Sequence, residues 1–208
     1  NIIQGNMKVS ICYPPLESNK GVPLLGQNRQ FQWFNSPTYI YPMVPAYAAS
    51  LLKSRGFDVV WDDFIAEEKS YADLISYYRN CDLDLLMMET KAPVVKMHWE
   101  IISQLKRIRP EIVVVLVGDH VTAYPDESMK NCPVDFILTG GNYDFLLCNL
   151  CEQIRDGNGI PDTAKLEPGV YYREKSEDGK SLVKNTGKFT LSHDLNELPM
   201  IDRELTKW

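Results

Sequence analysis

Residues Ile112–Thr122 read IVVVLVGDHVT, and the architecture expected of the whole chain starts from this run. Its first six residues are apolar and four of them are valine, whose branched side chains favour a strand. An apolar run without alternation is typical of a strand covered on both faces, as in a parallel sheet under helices. Gly118 lets the chain leave the strand and approach another group closely. Asp119, His120 and Thr122 then follow at the carboxyl end of the strand, where open α/β sheets bind their ligands.

Four further strands and five helices are predicted around this run. The predicted strands are Lys8–Tyr13, Phe57–Trp61, Leu83–Met88 and Val134–Leu138, and the predicted helices are Pro45–Arg55, Tyr71–Arg79, Val94–Arg109, Tyr124–Lys130 and Tyr143–Arg155. Strand and helix alternate five times, which implies right-handed crossovers. We therefore expect an α/β domain over residues 7–157 with a doubly wound, five-stranded parallel sheet in the order 2-1-3-4-5.

Three segments lie outside this alternation. Asn1–Asn6 precede a methionine and are predicted to be a tag remnant. Leu16–Tyr41 is rich in Asn, Gln, Gly and Pro with five interleaved aromatic residues, and it is either a flap packed on its own domain or a lid or docking surface. Residues 158–208 are predicted to form a small β-hairpin with an Asp-Gly turn, followed by a linker. Within that linker, Leu195–Trp208 is expected to have no partner element in this chain.

Composition and charge narrow the class of protein. With 208 residues, 44% of them apolar, the chain is long enough to bury one sizeable core. The net charge is −6 without a basic run, which argues against a nucleic-acid partner. No apolar run approaches the roughly 18 residues of a membrane span, and no signal peptide precedes Met7. Five cysteines in no regular framework fit a reducing compartment. We expect a soluble, cytoplasmic protein with no membrane partner.

The carboxyl ends of four predicted strands meet at one rim of this sheet, and the candidate binding residues lie there. Small residues permit close approach, and hydroxyl and amide groups outnumber charges, which suits a large, mostly neutral ligand rich in amides. No glycine-rich dinucleotide or nucleoside triphosphate motif follows the first strand. The candidates are Tyr13, Pro14, Pro15, Glu89, Thr90, Lys91, Val94, Gly118, Asp119, His120, Val121, Thr122, Leu138, Thr139, Gly140, Gly141 and Asn142.

Some candidates have a second interpretation. Glu89 follows an apolar strand and must be solvated or paired; Lys91 is close enough to pair with it, but we favour a hydrogen bond from a ligand's amides. His120 either contacts a cofactor or fixes its own loop by a hydrogen bond. Cys148 and Cys151 are spaced as Cys-x-x-Cys, but they fall within a predicted helix without a second pair. No metal ligand and no catalytic residue is assigned.

The rim motifs and the tail together resemble a known family in their order and spacing. The motifs are Pro14-Pro15, Glu89-Thr90-Lys91, Gly118–Thr122 followed by Pro125-Asp126-Glu127, Thr139-Gly140-Gly141, and the tail Leu198–Arg203. They resemble the cobalamin-binding domain of cobalamin-dependent radical S-adenosylmethionine (SAM) enzymes, and the tail resembles the segment that leads into the radical SAM barrel. The resemblance covers about Met7 to Trp208.

The resemblance implies a flavodoxin-like (Rossmann-like) domain that binds cobalamin, with Gly140-Gly141 making room for its dimethylbenzimidazole tail. Mutase-type cobalamin domains carry Asp-x-His-x-x-Gly, whose histidine ligates cobalt, but His98, His120 and His193 all lack the aspartate two residues before them. The resemblance therefore implies base-off cobalamin without a histidine ligand, as in the methyltransferase branch. The implied chemistry of the whole enzyme is methyl transfer from SAM through cobalamin to a carbon substrate.

Catalytic turnover is not expected from this chain alone. It contains no Cys-x-x-x-Cys-x-x-Cys, so the resemblance places the iron–sulfur cluster and SAM in a radical SAM domain of the same polypeptide that is absent here. Two alternatives stay open. One is a docking module, in which Phe31–Tyr41 and Leu195–Trp208 bind a partner and the rim holds nothing. The other is a flavodoxin-type nucleotide domain, although Pro14-Pro15 stands where a phosphate-cradling loop is expected.

Overall fold

The computed structural model describes residues 6–24 and 31–207 of the chain. The prediction of a tag remnant over Asn1–Asn6 lies outside the described residues, apart from Asn6. Within the described residues, no helix combines the length and the apolar character needed to cross a lipid bilayer.

A seven-stranded sheet forms the centre of the molecule. In chain order the strands are β1 (Lys8–Tyr13), β2 (Val22–Leu24), β3 (Gln32–Phe34), β4 (Asp58–Asp63), β5 (Leu85–Glu89), β6 (Val113–Val117), β7 (Phe136–Leu138), β8 (Val170–Lys175) and β9 (Ser181–Asn185). The spatial order of the central sheet is β4-β1-β5-β6-β7-β8-β9. The first five of these are parallel and in the predicted order, and β8 and β9 add to the edge in antiparallel pairing.

The predicted count of five strands is wrong. The β-hairpin predicted within residues 158–208 was not counted in the sheet, but β8 pairs with β7 along its length, from Phe136 opposite Tyr172 to Leu138 opposite Val170. Strand β7 would otherwise be an edge with unpaired backbone groups, and β8 covers that edge. The consequence for the site is that residues after β7 and residues flanking β8 lie next to each other.

Helices cover the sheet and connect its parallel strands. They are α1 (Met43–Ser54), α2 (Tyr71–Asn80), α3 (Val95–Ile108), α4 (Asp119–Ala123), α5 (Pro125–Asn131) and α6 (Asp144–Asp156), with 3-10 turns at Thr163–Lys165 and Leu195–Glu197. Helix α1 packs against α6, whereas α2 contacts α3. A capping box between Ser70 and Asp73 starts α2. Helix α4 was missed in the sequence, where Gly118–Thr122 was expected to be a loop.

The core lies on both faces of the central strands, as the run of valines predicts. Every residue of β5 is buried, and so are the last four residues of β6 and the last five of β1. Most of these side chains are aliphatic or methionine, so their burial supplies the hydrophobic stabilisation of the sheet. Glu89, the last residue of β5, is a charged exception, and its position at the rim leads to the candidate site.

The C-terminal tail packs back onto the domain. Lys53 Nζ lies 2.6 Å from Asp202 Oδ2, and the Asp202 amide donates to Ser50 Oγ at 2.9 Å. Thr206 is fully buried, with its Oγ1 2.8 Å from the hydroxyl of Tyr41. The expectation that the tail has no partner element is therefore wrong, because its partners are α1 and the residues just before α1. These contacts join polar residues that are about 150 positions apart, so no local sequence pattern indicates them.

Part of the aromatic segment packs on its own domain, whereas residues 35–40 are exposed. Strands β2 and β3 pair antiparallel, with Val22 opposite Phe34. Phe31, Trp33 and Tyr41 are partly buried against the core. Of the two interpretations offered for this segment, these contacts favour the packed flap.

Candidate functional site

The four predicted strand ends lie side by side in the structure. Strand β1 neighbours β5, β5 neighbours β6, and β6 neighbours β7, all in parallel register. Because parallel strands share one direction, the residues that follow them emerge at the same edge. This edge is called the rim below, and it consists of Tyr13–Pro15, Glu89–Lys91, Gly118–Thr122 and Leu138–Asn142.

A buried polar cluster lies beneath the rim between β1, β5 and β6. The Tyr13 hydroxyl donates to Glu89 Oε2 at 2.8 Å, and Lys91 Nζ lies 3.4 Å from Glu89 Oε1. The same Lys91 Nζ lies 3.5 Å from Asp119 Oδ2. The side chains of Glu89 and Lys91 are each 6% exposed, whereas that of Asp119 is 60% exposed. Lys91 thus connects a buried carboxylate to one at the surface, and both oxygens of Glu89 are engaged within the protein.

Burial sets the protonation preferences of this cluster. Loss of solvent raises the pKa of Glu89, while the Lys91 ammonium and the Tyr13 hydroxyl counteract that rise. Burial raises the pKa of Tyr143, the residue before α6, and the negative charge of Glu89 raises it further. The Tyr143 hydroxyl makes no hydrogen bond to any described residue. A buried hydroxyl without a partner is costly, so this group is available to a ligand or a water molecule.

The turns after β5 and β6 interlock through Gly118. Its φ is +116°, and a Cβ at this position would overlap the carbonyl oxygen of Thr90. Glycine is therefore required both for the backbone conformation and for the close approach of the two turns. Thr90 is itself fully buried, with Oγ1 2.7 Å from His98 Nδ1 on α3. The close contact of Gly118 with Thr90 and the hydrogen bond of Thr90 with the buried His98 therefore fix the rim at this point.

His98 should make stability depend on pH. Burial lowers the pKa of His98 to about 4, below its usual value near 6.5. The unfolded chain therefore binds a proton first, and the stabilisation present above pH 6.5 is lost progressively as the pH falls toward about 4. We expect His98→Gln to flatten this part of the profile of unfolding free energy against pH, measured by urea denaturation. A profile as steep in the variant as in the natural sequence would contradict the assignment.

Thr122 ties the turn after β6 to the turn after β7. Its Oγ1 donates to the Gly118 carbonyl at 2.8 Å and accepts from the Gly140 amide at 3.0 Å. Nearby, His120 Nε2 lies 2.8 Å from Glu127 Oε2. Of the two roles considered for His120, the structure shows the hydrogen bond that fixes the α4–α5 segment.

Gly140 and Gly141 have different surroundings. Gly140 has a φ of +91°, and a Cβ there would lie 2.5 Å from Cδ1 of Phe189. A Cβ on Gly141 would meet no atom within 4 Å. A cavity of about 380 Å³ opens beside Gly140, and its lining residues are Thr122, Thr139, Gly140, Tyr171, Asn185, Gly187, Lys188 and Phe189. Sequence reasoning missed five of these, Tyr171, Asn185, Gly187, Lys188 and Phe189, because β8 and the residues after β9 were not expected to pack beside β7.

Several of the candidate residues are buried rather than exposed at the surface of the rim. The side chains of Val94, Val121 and Leu138 are fully buried in the hydrophobic core, because each faces the sheet or an adjoining helix. Pro14 and Pro15 are also buried. Thr139 is buried as well, with its Oγ1 donating to the Gly169 carbonyl at 2.8 Å. Asp119, Thr122 and Gly141 are exposed, and Asn142 is half-buried.

The fold and the rim can be compared with known proteins. No protein-family model matches the chain. The chain is 24% identical over 160 residues to the uncharacterized methyltransferase PH0819 of Pyrococcus horikoshii, an alignment that covers 76% of this chain and 34% of that protein. The chain therefore spans about a third of the length of this curated relative.

Two solved enzymes have a similar structure. One is the radical SAM methyltransferase TsrM from Kitasatospora setae with cobalamin and a [4Fe-4S] cluster bound, at a TM-score of 0.62 and 18% identity, covering 88% of this chain and 31% of that one. The other is the apo form of the cobalamin-dependent radical SAM enzyme OxsB, at a TM-score of 0.56 and 13% identity, covering 97% of this chain and 24% of that one. At these identities the likeness concerns the fold. The chain thus has the fold of a segment of cobalamin-dependent radical SAM enzymes, the family that its rim motifs resemble.

Proposed function

We propose that residues 7–157 form a cobalamin-binding domain, and that residues 158–208 lead toward a radical SAM domain of the same polypeptide. The observation that carries this proposal is the rim itself, where four neighbouring parallel strands end together and the space above Gly141 is open. Open α/β sheets bind their ligands at the carboxyl ends of their strands, and a glycine with free space above it allows a broad ligand to approach the backbone. The fold shared with cobalamin-dependent enzymes, one of them with cobalamin bound, supports the same conclusion.

The polar groups of the rim fit a ligand of this kind. The periphery of a corrin carries neutral amides, which need hydroxyl, amide and carbonyl partners rather than a concentration of charge. The rim offers the half-buried Asn142, and beside it lies the unpartnered hydroxyl of Tyr143. We propose that Glu89 holds Tyr13 and Lys91 in place beneath the ligand instead of contacting it, because both of its oxygens are already engaged.

We propose that cobalamin binds base-off, and the contacts of the three histidines support the absence of a histidine ligand to cobalt. His98 is fully buried against Thr90, and His120 is bonded to Glu127. His193 stacks on the ring of Phe145 at 4.1 Å, with its Nε2 2.8 Å from Glu167 Oε1. Each imidazole therefore already has a structural contact within the domain.

We extend the proposal to the activity of the whole enzyme. When bound, cobalamin supplies a cobalt centre that carries a methyl group, and this chain's own residues would bind and orient it. SAM and an iron–sulfur cluster would be held by the radical SAM domain, and the overall reaction would be methyl transfer from SAM to a carbon substrate. The methyltransferase named among the relatives supports that reaction class. The reducing cytoplasm expected from the cysteines is compatible with such an enzyme.

Gly141→Phe tests the proposed site without disturbing the fold. Its Cβ would meet nothing within 4 Å, and its φ lies outside the positive region that excludes side chains. The new ring would project into the space assigned to the ligand. We expect the natural chain to bind hydroxocobalamin saturably in equilibrium dialysis, and we expect Gly141→Phe to lose at least about 90% of that binding at the same concentration, which corresponds to a tenfold change in affinity or more.

Asp82→Phe is the matched control. Asp82 is exposed and lies before the first residue of β5, so it is at the end of the strands opposite the rim. This variant adds the same ring and should bind hydroxocobalamin as the natural chain does. Equal binding by Gly141→Phe and the natural chain, with both folded by circular dichroism, would contradict the proposed site. No saturable binding by the natural chain would contradict the proposed function.

A further inference from the structure

We propose that Phe189 is an internal plug, which fills the slot between Gly140 and Gly169 and competes there with the aromatic base of a corrinoid ligand. This inference rests on the proposed function and adds a chain-specific determinant of which corrinoids bind. It concerns the residues after β9, which the sequence motifs do not include.

The slot is shaped by two glycines that both contact Phe189. A Cβ on Gly140 would lie 2.5 Å from Cδ1 and 2.6 Å from Cγ of the Phe189 ring, so the ring packs directly on the Gly140 backbone. A Cβ on Gly169 would lie 3.0 Å from the Phe189 Cβ and 3.1 Å from Thr139 Oγ1. Both glycines have positive φ, and neither position accommodates a side chain while Phe189 is present. Phe189 therefore closes the slot, with its ring on Gly140 and its Cα and Cβ against Gly169.

The segment that carries Phe189 has few polar contacts with the rest of the domain. Among the described residues, neither the backbone nor the side chains of residues 188–192 form a hydrogen bond or an ion pair. The segment is fixed at its two ends instead. Thr186 donates from its amide to Val170 and from its hydroxyl to Glu167, and His193 lies against Phe145 and Glu167. Between these anchors, Phe189 is half-buried and partly packed on the core, and its neighbours Lys188 and Thr190 are exposed.

This arrangement permits the ring to leave without unfolding the sheet. Gly187, with a φ of +96°, adjoins the segment and tolerates backbone rotation. No backbone hydrogen bond of residues 188–192 has to break for Phe189 to swing out. The cavity of about 380 Å³ that Phe189 lines would then be continuous with the slot, and Thr122 and Asn185 would remain on its walls. A ligand that inserts a flat ring must displace Phe189, so its apparent affinity is reduced by the fraction of time that the slot is filled.

The test compares two corrinoids that differ in the nucleotide tail, whose aromatic base would enter the slot. Hydroxocobalamin carries the nucleotide tail with its aromatic base, and cobinamide lacks that tail. We expect Phe189→Ala to raise the ratio of the association constants for hydroxocobalamin and cobinamide by about tenfold, equal to about 1.4 kcal/mol. Cobinamide binding itself should not change, and both constants are measured by equilibrium dialysis of the full chain.

Leu191→Ala is the control, because Leu191 lies on the same segment and is 58% exposed. It should leave the ratio as it is in the natural chain. If Phe189→Ala does not fold, Phe189→Leu serves instead, with a smaller rise in the same direction. An unchanged or lowered ratio in a folded variant that binds cobinamide would overturn the plug while leaving the proposed function intact. Failure of the natural chain and the variants to bind either corrinoid would overturn both.

Discussion

Replacing Lys91 by methionine is expected to lower the free energy of unfolding by about 3–5 kcal/mol at neutral pH, the range typical of breaking a buried ion pair. Among the described residues, Lys91 Nζ is the cation within ion-pair distance of Glu89, at 3.4 Å, and both side chains are almost fully buried. Methionine preserves most of the volume but leaves the carboxylate with the Tyr13 hydroxyl as its remaining partner. Urea denaturation of the variant and the natural chain gives the difference.

The pH dependence of this loss identifies its cause. Burial raises the pKa of Glu89, and Lys91 partly opposes that rise, so removing Lys91 raises the pKa further. A carboxyl group whose folded pKa is above its unfolded value stabilises the protein at low pH, and this contribution is lost as the pH rises through the folded pKa. The gap between Lys91→Met and the natural chain should therefore widen as the pH rises through the folded pKa of Glu89 in the natural chain, which lies above the usual glutamate value.

The double variant Lys91→Met, Glu89→Gln is the control for an unpaired charge. The amide carries no charge at any of these pH values, so the double variant should recover part of the lost stability, and its gap to the natural chain should no longer widen as the pH rises. A loss in Lys91→Met that is below about 1 kcal/mol, or that is the same at every pH, would contradict the buried pair.

Gly118→Ala is expected to cost about 3 kcal/mol of folding free energy. A non-glycine residue at a φ of +116° is strained by about 1–3 kcal/mol, and overlap of its Cβ with the Thr90 carbonyl adds to that strain. The carbonyl belongs to the backbone of a buried turn, which cannot move aside as a flexible side chain would. Thermal and urea denaturation measure the loss.

Gly141→Ala is the matched substitution for Gly118→Ala. It adds the same methyl group in the same rim, but to a position with no atom within 4 Å and without a positive φ. We expect its stability to lie within about 0.5 kcal/mol of the natural chain. Equal losses at the two glycines would contradict the interlocking of the turns after β5 and β6.

The parallel part of the fold could be predicted because its signals are local. The apolar run before Gly118 and the alternation of strand and helix fix the order of β4, β1, β5, β6 and β7, and β1 has the predicted bounds. The antiparallel pairing of β8 with β7, at the lateral edge of the parallel strands, could not be predicted in this way. Pairing of β8 with β7 joins residues more than 30 positions apart, and nothing in either strand alone indicates its partner.

The candidate site likewise contains features that the local sequence predicts and features that depend on packing between distant residues. The positions of the rim glycines can be predicted from where the strands end, and Gly118 and Gly140 both have a positive φ in the structure. The partner of Glu89 depends on side-chain geometry, so sequence reasoning named Lys91 but favoured a ligand. Phe189 carried no sequence signal, because its importance comes only from packing over Gly140.

The most direct measurement is the visible absorption spectrum of the chain after mixing with hydroxocobalamin and desalting. Binding at the rim predicts corrin bands that elute with the protein in the natural chain and in Asp82→Phe but not in Gly141→Phe. The position of those bands should be that of a corrinoid whose base has left the cobalt and has no histidine in its place. A colourless natural chain, or colour retained equally by Gly141→Phe, would contradict the assignment of a cobalamin site to this rim.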